Sequence, residues 1–413
     1  MQIKHALPAL AVALGTTLAP PAAAADFSLS YLGQQIVPSG TLFSGTTVGG
    51  LSSIDYVAAA GRYVAISDDR SGINPARYYE LSLNLAQFQR SATPGSAGVT
   101  FHATTTILTP GGAAFAANTV DPEGMRYNPA TGTLYWSNEG QRSGAGFQNP
   151  TVREMTVAGA HLRDFAVPAR YNPAGSNAGT AAGDSGIYNN LAFETVALSR
   201  DGATLYTATE NGLAQDSPPA SVLGGSRARI LSFNVASGAA GAEYAYDAGP
   251  VAIAPNPANG FATNGLTDMV AIGDRQFIAI ERSFAVGAIT PGTPVTGNTI
   301  RLFHVDARNA TDVSGLASLA GQAIVPVAKT LLLDLSTLTN DDSSPLALDN
   351  IEGITLGPSF GGKDTVILVS DNNFSGTQFT QFVALQVNPV PEPETYAMLL
   401  AGLALLRLRA GRR

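Results

Sequence analysis

The sequence contains no cysteine among its 413 residues, and it is also poor in charged residues, histidine and tryptophan. Without cysteine, the chain can form neither disulfide bonds nor thiolate metal sites. The histidines are widely separated, which argues against a zinc cluster. The net charge of −8 makes a nucleic-acid partner unexpected. With 44 glycines, 25 prolines and 45% hydrophobic residues, the composition indicates a turn-rich all-β fold with a large core.

The first 25 residues have the composition of a secretory signal peptide. Lys4 and His5 precede the apolar run Ala6–Leu18, and small residues follow as far as Ala24. A basic start, a short apolar centre and an A-x-A exit predict export, with cleavage near residues 24–26.

Residues 389–413 form a second segment of unusual composition. A Pro-Glu-Pro motif precedes an apolar run of 11 residues (396–406), which is followed by four arginines. The run is shorter than the ~20 residues that span a bilayer. The string VPEPETYAMLLAGLALLRLRAGRR resembles the PEP-CTERM sorting tail of Gram-negative bacteria. That resemblance implies removal by an exosortase-type enzyme and export to the cell envelope, the cell surface or the medium. Membrane contact would be made only through the tail, before processing.

Between these ends an acidic doublet occurs five times. One acidic residue opens an apolar run, and a second closes the next run. The openers are separated by 68, 71, 74 and 84 residues (123−55, 194−123, 268−194, 352−268). The doublets are Asp55 with Asp68, Glu123 with Glu139, Glu194 with Glu210, Asp268 with Glu281, and Glu352 with Asp371. Repetition at nearly constant spacing predicts an array of like units.

Strand-like runs separated by turn residues fill each unit. Four units contain four such runs, but the fifth contains only three. The run Phe27–Val37 has no partner in its own unit. We therefore predict a β-propeller of five four-stranded blades, in which the N-terminal strand completes the last blade and closes the ring. A sixth blade within Phe284–Leu348 and a pair of β-sandwiches are the alternatives.

The doublets are expected to meet at one mouth of the propeller channel. In an antiparallel pair, the start of the first strand lies beside the end of the second strand, so both acids would share one end of the sheet. Like charges at that end destabilise the fold unless a cation neutralises them. Ca²⁺ fits best because it binds six to eight oxygen ligands. Alternatively, the acids cap turns.

Segments around the doublets resemble the phytase-like family, whose name refers to an esterase-like activity of phytase. The matching strings are ISDDR (66–70), DPEGM (121–125), GIYNNLAFE (186–194), ATENG (208–212), IAIERS (278–283), NIEGI (350–354) and SDNNF (370–374). The resemblance implies an extracytoplasmic propeller-like domain over residues 26–388 that hydrolyses phosphate or related esters. At the third opener the sequence departs from the family's FEGL string, because Thr195 stands in the place of glycine.

On this basis we predict a monomeric, metal-dependent hydrolase of a small-molecule or polymer ester. The predicted ligands of Ca²⁺ are Asp68, Glu123, Glu139, Glu210, Asp268, Glu281 and Asp371. The predicted catalytic residues are Glu194, Glu352, Arg70 and Arg282, and the predicted polar supports at the substrate are Asn190 and Asn372. The two arginines either hold phosphate oxygens or only offset the acids. The alternatives for function are a non-catalytic surface propeller that binds a ligand or matrix polymer, and a Ca²⁺-dependent lactonase or esterase.

Overall fold

The computed structural model describes residues 26–390, which fold into five four-stranded antiparallel sheets. The predicted signal peptide and residues 391–413 of the predicted sorting tail lie outside the described residues. In chain order the strands are β1 (Phe27–Val37), β2 (Leu42–Phe43), β3 (Thr46–Thr47), β4 (Leu51–Val57), β5 (Arg62–Ser67), β6 (Arg77–Leu83), β7 (Val99–Thr106), β8 (Pro122–Asn128), β9 (Thr133–Asn138), β10 (Gln141–Ser143), β11 (Gly146–Gln148), β12 (Thr151–Thr156), β13 (His161–Asp164), β14 (Phe193–Leu198), β15 (Thr204–Thr209), β16 (Ser226–Asn234), β17 (Ala240–Ala248), β18 (Ala262–Gly273), β19 (Gln276–Ala285), β20 (Asn298–Asp306), β21 (Ala328–Asp334), β22 (Asn350–Phe360), β23 (Lys363–Asp371) and β24 (Thr380–Pro389).

Each sheet is one blade of a propeller. From the innermost strand outwards, blade 1 is β4-β5-β6-β7, blade 2 is β8-β9-β12-β13, blade 3 is β14-β15-β16-β17, blade 4 is β18-β19-β20-β21, and blade 5 is β22-β23-β24-β1. Two small hairpins, β2-β3 and β10-β11, and three short 3₁₀ helices (Leu85–Gln87, Ala169–Tyr171 and Leu335–Thr337) lie in the connections. Within residues 26–390, no helix is long and apolar enough to cross a bilayer.

The N-terminal strand closes the ring. Strand β1 pairs with β24 from Phe27↔Pro389 to Val37↔Thr380, so the first strand of the fold is the outermost strand of its last blade. The predicted five-bladed propeller is therefore confirmed. The interval 284–348, considered for a sixth blade, instead contains β20 and β21 of blade 4. The pairing covers the outer edge of β24 and gives the last blade its fourth strand.

Apolar clusters fill the space between neighbouring blades. Trp136 is 1% exposed and belongs with Met125 and Ile66 to the cluster between blades 1 and 2. Similar clusters separate blades 2 and 3, 3 and 4, 4 and 5, and 5 and 1. Both faces of each blade are thus buried, which explains why strands such as β5 have nearly continuous apolar sequences.

A buried ion pair fills the channel where the innermost strands meet. The Arg126 guanidinium of blade 2 crosses to the Asp268 carboxylate of blade 4, with N–O distances of 2.9 and 3.0 Å. The carboxylate accepts hydrogen bonds from all five blades. Its donors are Ser53 Oγ (3.3 Å), Arg126 Nη2, Thr195 Oγ1 (2.7 Å), Met269 N (2.8 Å) and Ile354 N (3.0 Å). One side chain therefore holds the centre of the ring together.

Candidate functional site

The innermost strand of each blade contains a register shift, where one extra residue has no partner on the second strand. The extra residue turns toward one end of the channel, which we call the mouth. The shifted residues are Ser52, Glu123, Glu194, Thr267 and Glu352, in blades 1 to 5. They follow one another after 71, 71, 73 and 85 residues (123−52, 194−123, 267−194, 352−267). A β-bulge of this kind re-aims a side chain at the rim of a closed sheet. Three of the five bulges thus bring a glutamate to the mouth.

A second ring of side chains belongs to the second strand of each blade, directly after the end of β5, β9 and β15, at the last residue of β23, and within the longer β19. Its members are Asp68, Glu139, Glu210, Arg282 and Asp371. Backbone hydrogen bonds to the innermost side of the blade fix the position of these residues along the channel. Asp68 N donates to Gly50 O (2.7 Å), and Glu139 N donates to Asp121 O (2.9 Å). Small residues make room for these side chains. A Cβ atom at Gly265 would lie 2.2 Å from Glu210 Cγ, so no larger residue fits there without movement.

Three predicted acids do not belong to these rings, and the prediction that all ten meet at the mouth is wrong for them. Asp55 lies three residues beyond the bulge, where it accepts from Tyr127 N and Thr355 Oγ1 (both 2.9 Å). Asp268 is one residue beyond the bulge of blade 4 and points into the channel. Because successive side chains alternate between the faces of a strand, a shift of one residue changes the face.

Glu281 is the third misplaced acid. It pairs in register with Leu266, and Arg282 occupies the ring position instead. The Glu281 carboxylate accepts from Tyr246 Oη (2.9 Å) and Asn264 Nδ2 (3.2 Å), and it forms an ion pair with Lys329. Side chains of blades 3 and 4 thus satisfy this carboxylate, so the predicted role of Glu281 as a metal ligand does not fit its surroundings.

Asp121, which was not among the predicted site residues, completes the acidic cluster at the mouth. Its side chain is 7% exposed and lies beside Glu123 and Glu139, with one oxygen of each carboxylate within 4.8 Å of the others. The acidic mouth thus consists of the eight carboxylates of Asp68, Asp121, Glu123, Glu139, Glu194, Glu210, Glu352 and Asp371. The sequence signal for Asp121 was its place two residues before the opener Glu123, at the position that Asn350 holds before Glu352 in blade 5.

A cavity of about 510 Å³ lies above this cluster. Seven of the eight carboxylates line it, and Glu139 lies next to Asp121 and Glu123. Among the described residues, the only basic ones in its lining are Arg70 and Arg282. The volume is within the range of small-molecule sites.

The two arginines of the mouth have different surroundings. Arg282 Nη2 donates to Glu352 Oε1 at 2.9 Å and lies 3.5 Å from Glu210 Oε1. Burial alone would lower the pKa of Arg282, but the surrounding glutamates outweigh it and raise that pKa. Arg70 is 32% exposed and lies 3.3 Å from Asp121. Arg282 therefore offsets charge within the rings, whereas Arg70 is accessible from the cavity.

The two predicted asparagines lie at different places. Asn190 is exposed and lines the cavity. Asn372 is buried, where its amide oxygen accepts from Gly50 N (3.1 Å) and Phe374 N (3.0 Å) and its nitrogen donates to Ser39. Asn372 thus supports a loop and does not line the cavity, which corrects its prediction as a residue that contacts the substrate. Its neighbour Asn373 lines the cavity instead.

Comparison with protein families gives one decisive match. The family model "Phytase-like: Esterase-like activity of phytase" matches residues 46–374, which is more than three quarters of the chain. The chain belongs to the phytase-like family. A comparison with curated proteins found no match.

Two solved propellers resemble this phytase-like chain at low identity. One is the Dos1 propeller, with 6% identity, a TM-score of 0.33, and coverage of 81% of this chain and 68% of that one. The other is the Pan2 WD40 domain of Neurospora crassa, with 8% identity, a TM-score of 0.32, and coverage of 90% and 99%. At these values the likenesses carry no inference about function.

Burial raises the pKa of each carboxyl group in the acidic mouth of this phytase-like protein. For Glu123, Glu194 and Asp371 the pKa is well above its ordinary value, because neighbouring carboxylates add to the effect of burial. The pKa of Glu139 rises to about 7, although the Ala192 N–H opposes the rise. Burial likewise raises the pKa of Glu210 to about 7, against the opposing effect of Arg282. The fold therefore favours the protonated form of these carboxyl groups unless positive charge is supplied to the mouth.

The donors present fit a hard divalent cation. All donor groups of the cluster are carboxylates, and no histidine of the described residues lies in the cavity lining. Glu210 is 1% exposed, and its Oε1 atom is buried without a hydrogen-bond donor, as is Asp68 Oδ1. Unsatisfied buried oxygens are costly in a folded protein, and a cation would satisfy them. Oxygen-only sites suit Ca²⁺ or Mg²⁺.

Proposed function

We propose that this protein is a divalent-cation-dependent hydrolase of phosphate or related esters, with its active site at the acidic mouth. The observation that carries the proposal is the group Asp121, Glu123 and Glu139, whose oxygens converge within 4.8 Å beneath a cavity of about 510 Å³. Membership of the phytase-like family supports the reaction class.

The residues of the mouth would have three different roles: cation binding, binding of the anionic group, and positioning of other side chains. Asp121, Glu123 and Glu139 would hold a cation, with Ca²⁺ as the first candidate. When bound, such a cation neutralises a phosphate group and lowers the pKa of a water that it binds. Arg70 would hold an oxygen of the anionic group, since its guanidinium is partly exposed at the cavity. Arg282 would keep Glu352 and Glu210 in place through its ion pairs.

The proposed reaction is hydrolysis of a phosphate monoester. The oxygen of a water molecule forms a bond to phosphorus, and the bond between phosphorus and the alcohol oxygen breaks. The alcohol oxygen takes up a proton from the water, so that the products are an alcohol and inorganic phosphate. No oxidant, reductant or second substrate is needed.

We also propose that the reaction takes place outside the cytoplasm. The signal-peptide pattern of residues 1–25 and the PEP-CTERM-like tail support export and processing by an exosortase-type enzyme. Expression in a Gram-negative host that has an exosortase, followed by cell fractionation and mass spectrometry of the termini, tests this part of the proposal. A product that remains in the cytoplasm with both termini intact would contradict it.

The proposed activity is tested by phosphate release from phenyl phosphate with Ca²⁺ present and with a chelator. We expect chelation to abolish turnover and Glu123→Gln to weaken activation by Ca²⁺ about ten-fold or more, because one charged ligand is lost. Glu80→Gln is the matched control, since Glu80 lies on the surface of blade 1 and pairs with Arg62. It should leave both turnover and activation unchanged.

The other outcomes of this assay distinguish the alternatives. Ca²⁺-dependent turnover of carbonyl esters or lactones, without release of phosphate, would replace the phosphatase proposal by an esterase. Absence of turnover across both substrate groups, with Ca²⁺ binding and folding intact, would refute the enzyme proposal and leave a binding propeller.

A further inference from the structure

The two inner strands of blade 4 extend beyond the mouth, whereas the inner strands of the other blades do not. Strands β18 and β19 continue beyond the Gly265–Arg282 pair through three more pairs, Asn264↔Ser283, Thr263↔Phe284 and Ala262↔Ala285. In the other blades the innermost strand begins at or after the corresponding position. The hydrogen bond from Val286 N to Phe261 O (2.9 Å) continues the ladder by one further step. This extension therefore forms one side of the cavity.

The side of the cavity formed by blade 4 contains three large apolar residues. We call Phe261, Phe284 and Val295 the apolar wall, and all three line the cavity. The two phenylalanine rings contact each other, with centroids 6.2 Å apart and planes inclined by 40°. Phe261 is 64% exposed and Val295 is 56% exposed.

The exposure of Phe261 is unusual for this chain. Within residues 26–390, only Phe147 and Phe261 among the phenylalanines are exposed, and Phe147 does not line the cavity. An exposed aromatic side chain beside a polar, concave site is a typical contact for the apolar part of a ligand. The wall adjoins the acidic mouth directly, because Thr263 and Arg282 of the same two strands line the same cavity.

The charges of the cavity favour a ligand with few anionic groups. Its described lining contains two basic residues, Arg70 and Arg282, and both already contact carboxylates. A ligand with many phosphate groups needs several positive charges, so it would require several bound cations here. For a ligand with a single anionic ester group, one bound cation and Arg70 are sufficient.

We propose that the substrate is an ester with one phosphate group whose alcohol part is aromatic or otherwise apolar and packs on the apolar wall. This inference rests on the proposed function, because it assigns the substrate class of the same site. Phe261 is then a residue that determines specificity, and it acts on binding of the alcohol part.

The test compares hydrolysis of phenyl phosphate, glycerol 2-phosphate and inositol hexakisphosphate by the secreted protein with Ca²⁺. We expect kcat/KM for phenyl phosphate to exceed that for the other two by about ten-fold or more, as aromatic contacts of this kind allow. Phe261→Ala should remove most of this preference, because it should raise KM for phenyl phosphate more than KM for glycerol 2-phosphate. Phe261→Tyr should retain the preference.

Phe147→Ala is the matched control, and it should leave the preference intact. The midpoint of thermal unfolding verifies that each variant is folded, and Val295→Ala offers a second variant of the wall. Equal efficiency towards the three esters, or a preference that Phe261→Ala does not alter, would overturn the inference while leaving the hydrolase in place.

A binding measurement distinguishes failure of this inference from failure of the proposed function. If none of the esters is hydrolysed, calorimetry with phenylphosphonate and methylphosphonate in the presence of Ca²⁺ measures binding alone. Tighter binding of phenylphosphonate by about ten-fold, lost in Phe261→Ala, would support the apolar subsite without the reaction. Equal binding of both phosphonates would refute the subsite.

Discussion

Replacement of Asp268 by asparagine should destabilise the whole propeller. Its carboxylate lies on the channel axis, is fully buried, and accepts hydrogen bonds from each of the five blades. Asp268→Asn removes the charge that balances Arg126, whose side chain is 3% exposed. Removal of one partner from a buried ion pair costs about 3–5 kcal/mol, because the other charge is left uncompensated. We expect a loss of this size in the free energy of unfolding, measured by urea denaturation.

Two further variants make this measurement decisive. Asp247→Asn is the control, because its ion pair with Arg227 (2.7 Å) is largely exposed and should contribute at most about 1 kcal/mol. The double variant Arg126→Gln with Asp268→Asn removes both charges, keeps an acceptor for the donors that surround position 268, and should recover part of the lost stability. A loss below about 1 kcal/mol in Asp268→Asn would refute the role assigned to this carboxylate.

The same variant also tests the prediction that Asp268 is a metal ligand. A ligand should lose its Ca²⁺-dependent stabilisation when the charge is removed, as we expect for Glu123→Gln. Asp268 points into the channel instead, so any rise in thermal midpoint that Ca²⁺ gives the unsubstituted protein should persist in Asp268→Asn. Loss of that rise in both variants would show that Asp268 contributes to the cation site.

Three further predictions concern the mouth and the core. Because the pKa values of Glu139 and Glu210 rise to about 7 in the fold, the cation-free protein binds more protons than the unfolded chain, and its stability should fall as pH rises from about 4.5 to about 7. Denaturation in the presence of a chelator at several pH values measures this fall in stability. Ca²⁺ should reverse the fall at neutral pH. A stability that does not change with pH would contradict the prediction. Calcium binding near pH 7 should release protons, which calorimetry in buffers of different ionisation enthalpy detects; an equal heat in all buffers would argue against cation binding by protonated carboxyls. Trp136→Ala should cost about 3–5 kcal/mol by urea denaturation, since it leaves a cavity between blades 1 and 2, and a loss under about 1 kcal/mol would mean that the site collapses.

The number of blades and the closure of the ring could be predicted because they depend on repetition and on a strand without a partner. Phe27–Val37 had to pair somewhere, and the fifth unit lacked one strand. Neither argument requires knowledge of the face on which a particular side chain lies. A strand predicted with an error of one or two residues still belongs to the right blade.

The members of the site could be predicted only in part, because they depend on register. Asp55, Asp268 and Glu281 are acidic and lie close to the repeat positions, but the side-chain period of two in a strand puts them elsewhere. Alignment of the strings LSSI, PEGM, FETV, LTDM and IEGI gives Ser52 and Thr267 as the true equivalents of Glu123. A search for acids alone passed over these two positions, since neither carries a charge.

The departures of blade 4 from the repeat explain how a five-membered ring can form a directional site. Blades 2, 3 and 5 each supply a glutamate from the bulge and an acid from the second ring, and blade 1 supplies Asp68. Blade 4 supplies Thr267 and Arg282 at the same two positions, and its extension adds the apolar wall. If every blade carried both acids, the like charges would repel each other on all sides, and no side would favour the alcohol part of an ester. A substrate would therefore place its anionic group over the carboxylates and any bound cation, with its apolar part against blade 4. Arg282 is the only basic member of the two rings. Substitution of Arg282 by glutamine should therefore reduce the difference in charge between blade 4 and the acidic blades more than a similar change in any other blade.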